Sequence, residues 1–116
     1  MLWLKGNLGS GKTTFLKGLA KGLGVRNVVT SPTFVLMKVY QAKHKHIRTF
    51  VHVDCYRLPG AELAAIGLGD YLNEPNTVVA IEWANKLPKN PKPTLELEFT
   101  VGKNPNQRIV RTKKRA

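Results

Sequence analysis

The stretch Gly6-Asn7-Leu8-Gly9-Ser10-Gly11-Lys12-Thr13 decides how the rest of the chain folds. It has the phosphate-loop spacing, in which a glycine is followed by four residues and then by Gly-Lys-Ser/Thr. An apolar run, Leu2-Trp3-Leu4, precedes it, and apolar residues at helical spacing follow from Lys12 onward. The order of strand, glycine-rich loop and helix predicts a polyphosphate-binding site where the three meet.

Each residue type in this loop has a chemical reason. Backbone N–H groups of a glycine-rich turn converge on an anion, and the N-terminus of the following helix adds its positive dipole end. Lys12 would reach the outer phosphates, and the Thr13 hydroxyl would bind Mg²⁺. Side chains at Gly6, Gly9 or Gly11 would block the phosphates or forbid a positive φ. A plain glycine-rich surface turn would not require the full pattern.

The composition indicates one globular domain over residues 1–116. A hydrophobic fraction of 42% and a charged fraction of 22% are ordinary for a soluble protein, and no apolar run approaches the ~20 residues of a membrane helix. The single cysteine, Cys55, has no internal disulfide partner, which favours a cytoplasmic location. It could be a nucleophile, but a buried structural thiol is the simpler interpretation, because no base is placed by sequence to activate it.

The charge is unusual, since 19 Lys and Arg against 7 Asp and Glu give a net charge of +12. Such a field attracts polyanions. The positive residues concentrate at 38–48 and 108–115. Both stretches also fit a solvated loop and a frayed terminus, because neither interleaves aromatic residues as single-strand binders do.

Strand and helix patterns alternate along the chain. Strands are predicted at 1–5, 34–40, 49–53, 77–81, 94–101 and 108–111, and helices at 12–23, capped by Gly24, and at 61–72. These patterns predict an α/β fold of the P-loop NTPase type, with a mixed sheet flanked by helices. Its core is parallel and its C-terminal hairpin is antiparallel.

Two acids stand where predicted core strands end. Asp54 follows Thr49-Phe50-Val51-His52-Val53, and Glu82 follows Thr77-Val78-Val79-Ala80-Ile81. Carboxyl ends of parallel strands form the ligand-binding edge of such a sheet. Phosphate-loop enzymes need an acid there for Mg²⁺, and Glu82 is favoured because its strand is the more apolar one.

Two smaller motifs leave alternatives open. The hydroxyls of Thr30, Ser31 and Thr33 could contact a terminal phosphate or its metal ion, or could form an ordinary turn. His44 and His46 could bind a metal, but no further ligand is in register, which favours a solvated loop.

Four stretches in this order carry a family resemblance: 6–14, Ser31-Pro32-Thr33-Phe34, His52 to Leu58, and Ile81-Glu82-Trp83. Together they resemble the TsaE family of small bacterial ATPases, also called YjeE. The resemblance covers nearly the whole chain. Members of this family usually have a strand and a helix before the phosphate-loop strand, so the resemblance implies that this chain lacks an N-terminal piece.

The resemblance implies an ATPase that takes part in threonylcarbamoyladenosine modification of tRNA with the partner proteins TsaD and TsaB. An indirect or weak contact with tRNA is a further possible interaction. Its implied cofactors are ATP and Mg²⁺. The residues carried over as nucleotide contacts are Gly6, Asn7, Leu8, Gly9, Ser10, Gly11, Lys12, Thr13, Thr14, Trp83 and Arg108. Thr13 and Glu82 would lie at the metal with Asp54 beside it, and Thr33 near the terminal phosphate. Lys12, Thr33, Asp54 and Glu82 would be the catalytic residues.

The expected chemistry is transfer of the terminal phosphoryl group of ATP to water. The sequence offers no clear water-orienting base, and Arg57 is the conceivable arginine finger, so slow hydrolysis by the isolated chain is expected. A small kinase is one rival, although the chain has little room for a lid and an acceptor pocket. A basic RNA-binding module that uses nucleotide as a switch is another. A GTPase is disfavoured, because Pro88 stands where Asn85-Lys86 would require an acid.

Overall fold

The computed structural model describes residues 1–6, 11–26, 37–55, 68–72, 74–83 and 95–114. Within these ranges lie six strands and two helices. They are β1 (Leu2–Lys5), α1 (Lys12–Gly22), β2 (Met37–Gln41), β3 (Thr49–Asp54), α2 (Gly69–Leu72), β4 (Thr77–Glu82), β5 (Leu95–Val101) and β6 (Arg108–Lys114).

The strands form one six-stranded mixed sheet in the order β2-β3-β4-β1-β5-β6. β3, β4, β1 and β5 are parallel, so their carboxyl ends share one edge. β2 and β6 run antiparallel to their neighbours at the two sides of the sheet. The predicted parallel core and antiparallel C-terminal hairpin are confirmed, and the β2–β3 hairpin is a second antiparallel pair.

Helix α1 covers one face of this sheet. Its buried positions Leu16 and Ala20 are one turn apart, so they share a face, and they pack in a cluster with Leu4, Phe50 and Leu97 from three strands. Burying a side chain such as Leu16 stabilises the fold by roughly 1.5–3 kcal/mol. This packing fixes the direction in which the N-terminus of α1 points.

A second apolar cluster lies on the other face. It contains Val51, Val53, Val79 and Ile81, which alternate with the residues facing α1. Cys55 is fully buried in the same cluster, which agrees with a structural thiol.

The predicted elements agree with those observed wherever the structure describes them. β6 extends to Lys114, beyond the predicted end at residue 111, because it pairs with the whole of β5. Residues 34–36 of the predicted second strand and 61–67 of the predicted second helix lie outside the described residues. In the described ranges no helix has the length and apolar character to cross a membrane.

Candidate nucleotide-binding site

The two predicted acids meet at the carboxyl edge of the sheet. Asp54 and Glu82 are the last residues of β3 and β4 and are partners in the parallel register. Neighbouring strands are ~4.8 Å apart, so the two backbones are adjacent. The Cys55 amide donates a 3.0 Å hydrogen bond to the Glu82 carbonyl and holds this edge together. Gly6 follows β1, the neighbour of β4 on its other side.

Lys12 joins this edge from the helix. It is the first residue of α1 and is only 5% exposed. Its Nζ atom lies 3.6 Å from Glu82 Oε1 and 4.9 Å from the centre of the Trp83 ring. A buried ammonium group is strongly destabilising unless it is paired, so the contacts with Glu82 and the indole face offset the cost of burying this side chain.

Trp83 turns the chain sharply after β4. Its φ of 61° lies in the left-handed region, which costs roughly 1–2 kcal/mol for a residue with a Cβ. The indole ring is half-buried beside Lys12. Trp83 therefore lies beside Lys12, directly after the end of β4.

His52 is a member of the site that the sequence reasoning missed. It lies on β3, is 2% exposed, and its Nε2 atom is 2.8 Å from Glu82 Oε2. An ionised carboxylate only accepts hydrogen bonds, so Nε2 is the donor. Its Nδ1 atom has no hydrogen-bond partner among the described residues. The signal was available, because side chains alternate along a strand and His52 shares a face with Asp54 two residues later.

The charge state of Glu82 follows from these contacts. Burial raises the pKa of the Glu82 carboxyl, but the hydrogen bond from His52 and the nearby His52 and Lys12 side chains outweigh burial, so this pKa lies below the ordinary value of 4.5. Glu82 is therefore a carboxylate at neutral pH, which is the form that binds a cation.

Gly11, directly before α1, has a left-handed backbone. Gly11 precedes the helix with a φ of 102°, a conformation that side chains strongly disfavour. A Cβ at Gly11 would also lie 3.6 Å from Cγ of Arg108. The C-terminal hairpin thus places Arg108 beside Gly11. Its Nη1 atom donates to the carbonyls of Pro105, at 2.6 Å, and Gln107, at 3.0 Å.

The remaining predicted residues divide into two groups. Thr13 and Thr14 are exposed in the first turn of α1, next to Lys12. Asn7, Leu8, Gly9, Ser10, Thr33 and Arg57 lie outside the described residues. The structure brings together Lys12, Glu82, Trp83 and the end of β3.

The donor set fits Mg²⁺ held jointly with phosphate oxygens. Mg²⁺ binds oxygen ligands and in nucleotide sites uses one or two carboxylates together with phosphates. Glu82 and Asp54 supply carboxylates and Thr13 a hydroxyl. In the described part of the chain no three His, Cys, Asp or Glu side chains cluster as a metal site made by protein alone. His44 and His46 are both exposed, as expected for the predicted solvated loop.

The parallel core and the glycine-led helix at its carboxyl edge define an α/β protein of the P-loop NTPase type. Residues 1–110 match the family model described as threonylcarbamoyl adenosine biosynthesis protein TsaE. The chain belongs to the TsaE family.

Curated relatives carry the name tRNA threonylcarbamoyladenosine biosynthesis protein TsaE. The Streptomyces coelicolor protein is 44% identical over 72% of this chain and 55% of its own length. The Bacillus subtilis protein is 41% identical over 73% of this chain and 51% of its own length. The Treponema pallidum protein is 36% identical over 92% of this chain and 77% of its own length. The match thus spans about half the length of the first two relatives.

A solved structure gives the same architecture. The crystal structure of Bacillus subtilis YdiB superposes with a TM-score of 0.64 and 30% sequence identity. It covers 96% of this chain, which in turn covers 64% of that protein. The predicted P-loop NTPase-like α/β fold is confirmed.

Proposed function

We propose that this chain binds ATP with Mg²⁺ and hydrolyses it slowly, and that this activity supports threonylcarbamoyladenosine modification of tRNA in the cytoplasm, together with TsaD and TsaB. One observation carries the proposal: Lys12 and Glu82, predicted from two distant motifs to serve phosphate and metal, lie 3.6 Å apart at one edge of the sheet. The names of the family and of its curated members support the role in tRNA modification.

The residues of the site have separate tasks in this mechanism. Lys12 exchanges its contact with Glu82 for a contact with a phosphate oxygen, and its positive charge neutralises negative charge on the phosphoryl group being transferred. Glu82 and Thr13 would hold Mg²⁺, with Asp54 beside them, and the ion supplies further positive charge at the phosphates when it is bound. His52 keeps the Glu82 carboxylate oriented through its 2.8 Å hydrogen bond.

Slow turnover follows from what this chain offers. Positioning and charge neutralisation account for most of phosphoryl-transfer catalysis, and both are available here. A missing arginine finger costs about 10³ to 10⁵ in rate. Arg108 is engaged with the carbonyls of its own turn. We therefore propose that a partner protein supplies or positions the remaining group.

The test is the ATP hydrolysis rate of the purified chain with Mg²⁺, alone and with TsaD and TsaB. We expect a low rate that rises with the partners and vanishes in Lys12→Ala. Lys17→Ala is the matched control, because Lys17 is an exposed lysine of the same helix and should leave the rate unchanged. Stimulation by a small acceptor or by tRNA alone, without any effect of the partners, would favour a kinase or an RNA-dependent module.

Nucleotide binding is measurable separately from hydrolysis. Trp83 lies against Lys12, so its fluorescence should change when Lys12 turns to a phosphate. A Trp3→Phe background isolates this signal, because the chain has 2 tryptophans. We expect Mg²⁺ to tighten ATP binding, and Lys12→Ala to weaken it at least ~10-fold, the loss of a charged contact of about 1.4 kcal/mol or more. An unchanged affinity in Lys12→Ala would contradict the proposed site.

A further inference from the structure

A group of positive side chains lies at the opposite edge of the sheet from the nucleotide site. Its members are all exposed: Lys21 and Arg26 at the end of α1, and Lys43, Lys45 and Arg48 in the loop before β3. We call these five residues the basic surface. The residues near α1 and those in the loop are about 20 positions apart in the sequence, and the fold brings these two segments together.

Backbone contacts hold these two segments together. The Lys43 amide donates a 2.8 Å hydrogen bond to the Leu23 carbonyl, just after α1. Gly24, with a φ of 73°, packs so closely that a Cβ there would lie 2.6 Å from the Lys43 carbonyl oxygen. Arg48 is tied by its amide to the Asn76 carbonyl at 2.8 Å, and its own carbonyl accepts from Ala42 at 2.8 Å. The cations therefore project from an ordered scaffold, which lowers the entropic cost of binding a ligand.

The charges of the basic surface have no acidic partners in the described structure. None of the five forms an ion pair with any described residue. The other basic stretch differs, because on β6 Arg111 lies opposite Glu98 and Lys113 opposite Glu96 in the strand register. Opposite charges across a strand pair offset each other. The positive charge of the hairpin is thus partly offset by Glu96 and Glu98, whereas no described ion pair offsets the charges of the basic surface.

This surface cannot serve the nucleotide site. Lys12 and Lys21 are nine residues apart on α1, and at 1.5 Å per residue their backbones are separated by ~14 Å. The loop also precedes β3, whereas Asp54 ends it. A ligand of the basic surface would therefore bind at a position separate from that of ATP.

The surface chemistry fits a sugar–phosphate backbone better than an acidic protein. Protein interfaces are usually centred on buried apolar or aromatic anchors. The exposed large hydrophobic residues of the described chain lie on β2 (Val39) and on the β5–β6 hairpin (Val101, Ile109 and Val110), and none lies in the segments 21–26 and 43–48 that contain the five cations. Phosphate contacts need only Lys and Arg in suitable positions. We infer that the basic surface binds the phosphate backbone of a folded RNA, at a site separate from the nucleotide.

The experiment is fluorescence anisotropy of a labelled, unmodified tRNA transcript with the full chain, without nucleotide, at about 50 to 200 mM salt. We compare the wild type with Lys43→Glu/Lys45→Glu and with Lys103→Glu/Lys114→Glu. The second variant is the matched control: it reverses two exposed lysines of the β5–β6 hairpin and changes the net charge equally.

We expect the loop variant to weaken tRNA binding at least ~10-fold and to lower the slope of log Kd against log salt by about two, since two phosphate contacts are lost. The hairpin variant should change the affinity less than ~3-fold, and ATP binding should be unchanged in both, which shows that they fold. Equal losses in the two variants, no tRNA binding by the wild type, or equal competition by polyglutamate would each overturn the inference. None of these results depends on whether the chain hydrolyses ATP.

Discussion

Glu82 is the residue at which the charges of the site converge. Its two carboxylate oxygens contact different donors, Lys12 at 3.6 Å and His52 at 2.8 Å. Burial alone would raise the pKa of this carboxyl, and the donors lower it below 4.5. A carboxyl whose folded pKa is depressed stabilises the fold fully above the unfolded pKa, and this contribution is lost as pH falls through the folded pKa.

The contribution of His52 is testable by comparing His52→Gln with His52→Leu. Glutamine retains an N–H donor for Glu82 and leucine does not, and neither side chain titrates. At pH 7 we expect His52→Gln to have the larger free energy of unfolding by about 1–3 kcal/mol, the value of a hydrogen bond to a buried charge. The gap should shrink as pH falls through the Glu82 pKa, because a protonated Glu82 has less need of the donor.

Urea unfolding of both variants between pH 3 and 7 measures this gap. Other carboxylates contribute equally to the two proteins and cancel in the difference. A gap that stays constant across this range would mean that His52 acts through packing and not through the charge of Glu82.

At the scale of the element, helix α1 connects the two sites: the candidate nucleotide site lies at its start and the basic surface lies near its end. Gly11 directly precedes the helix, next to Lys12, and Gly24, with a φ of 73°, follows its end and packs against Lys43. The two glycines are required for their left-handed backbone. Gly18 differs, because it lies within the helix and a Cβ there meets no atom within 4 Å.

These glycines predict opposite effects of the same substitution. Gly18→Ala should stabilise the protein by about 0.5–1 kcal/mol, because alanine loses less backbone entropy in a helix. Gly24→Ala should destabilise it by roughly 1–3 kcal/mol, because the new Cβ meets the Lys43 carbonyl in a strained backbone. The midpoints of urea unfolding measure both effects, provided that the free energy of unfolding depends equally on urea concentration in the two variants. Similar midpoints would mean that the contact between α1 and the loop is weaker than its geometry indicates.

The sequence predicted features that depend on local motifs better than features that depend on contacts between residues distant in the sequence. The Gly-Lys-Thr spacing and the acids at strand ends predicted Lys12 and Glu82, because parallel strands present their carboxyl ends together. His52 was missed because a lone histidine on an apolar strand more often belongs to a core than to a site. The contacts of Leu23 and Gly24 with Lys43 depend on tertiary packing, which no local pattern encodes.

At the scale of the whole molecule, the net charge of +12 opposes the compact state through self-repulsion. Among the described residues, the exposed Lys5 pairs with Glu96 and the buried Lys12 pairs with Glu82 in the interior. Exposed charges are screened within ~10 Å at 0.1 M salt, whereas a buried pair such as Lys12–Glu82 is screened much less. Added salt should therefore relieve repulsion more than it weakens attraction.

We accordingly expect the unfolding temperature of the chain to rise by roughly 2–5 °C between about 20 and 300 mM NaCl, which corresponds to about 1 kcal/mol for a domain of this size. Lys43→Glu/Lys45→Glu should have a higher unfolding temperature than the wild type at low salt and a smaller rise with salt, because it removes charge from the least balanced part of the surface. Thermal unfolding followed by circular dichroism measures both. If the variant shows the same salt dependence as the wild type, the repulsion is spread evenly over the molecule and the basic surface is not its main source.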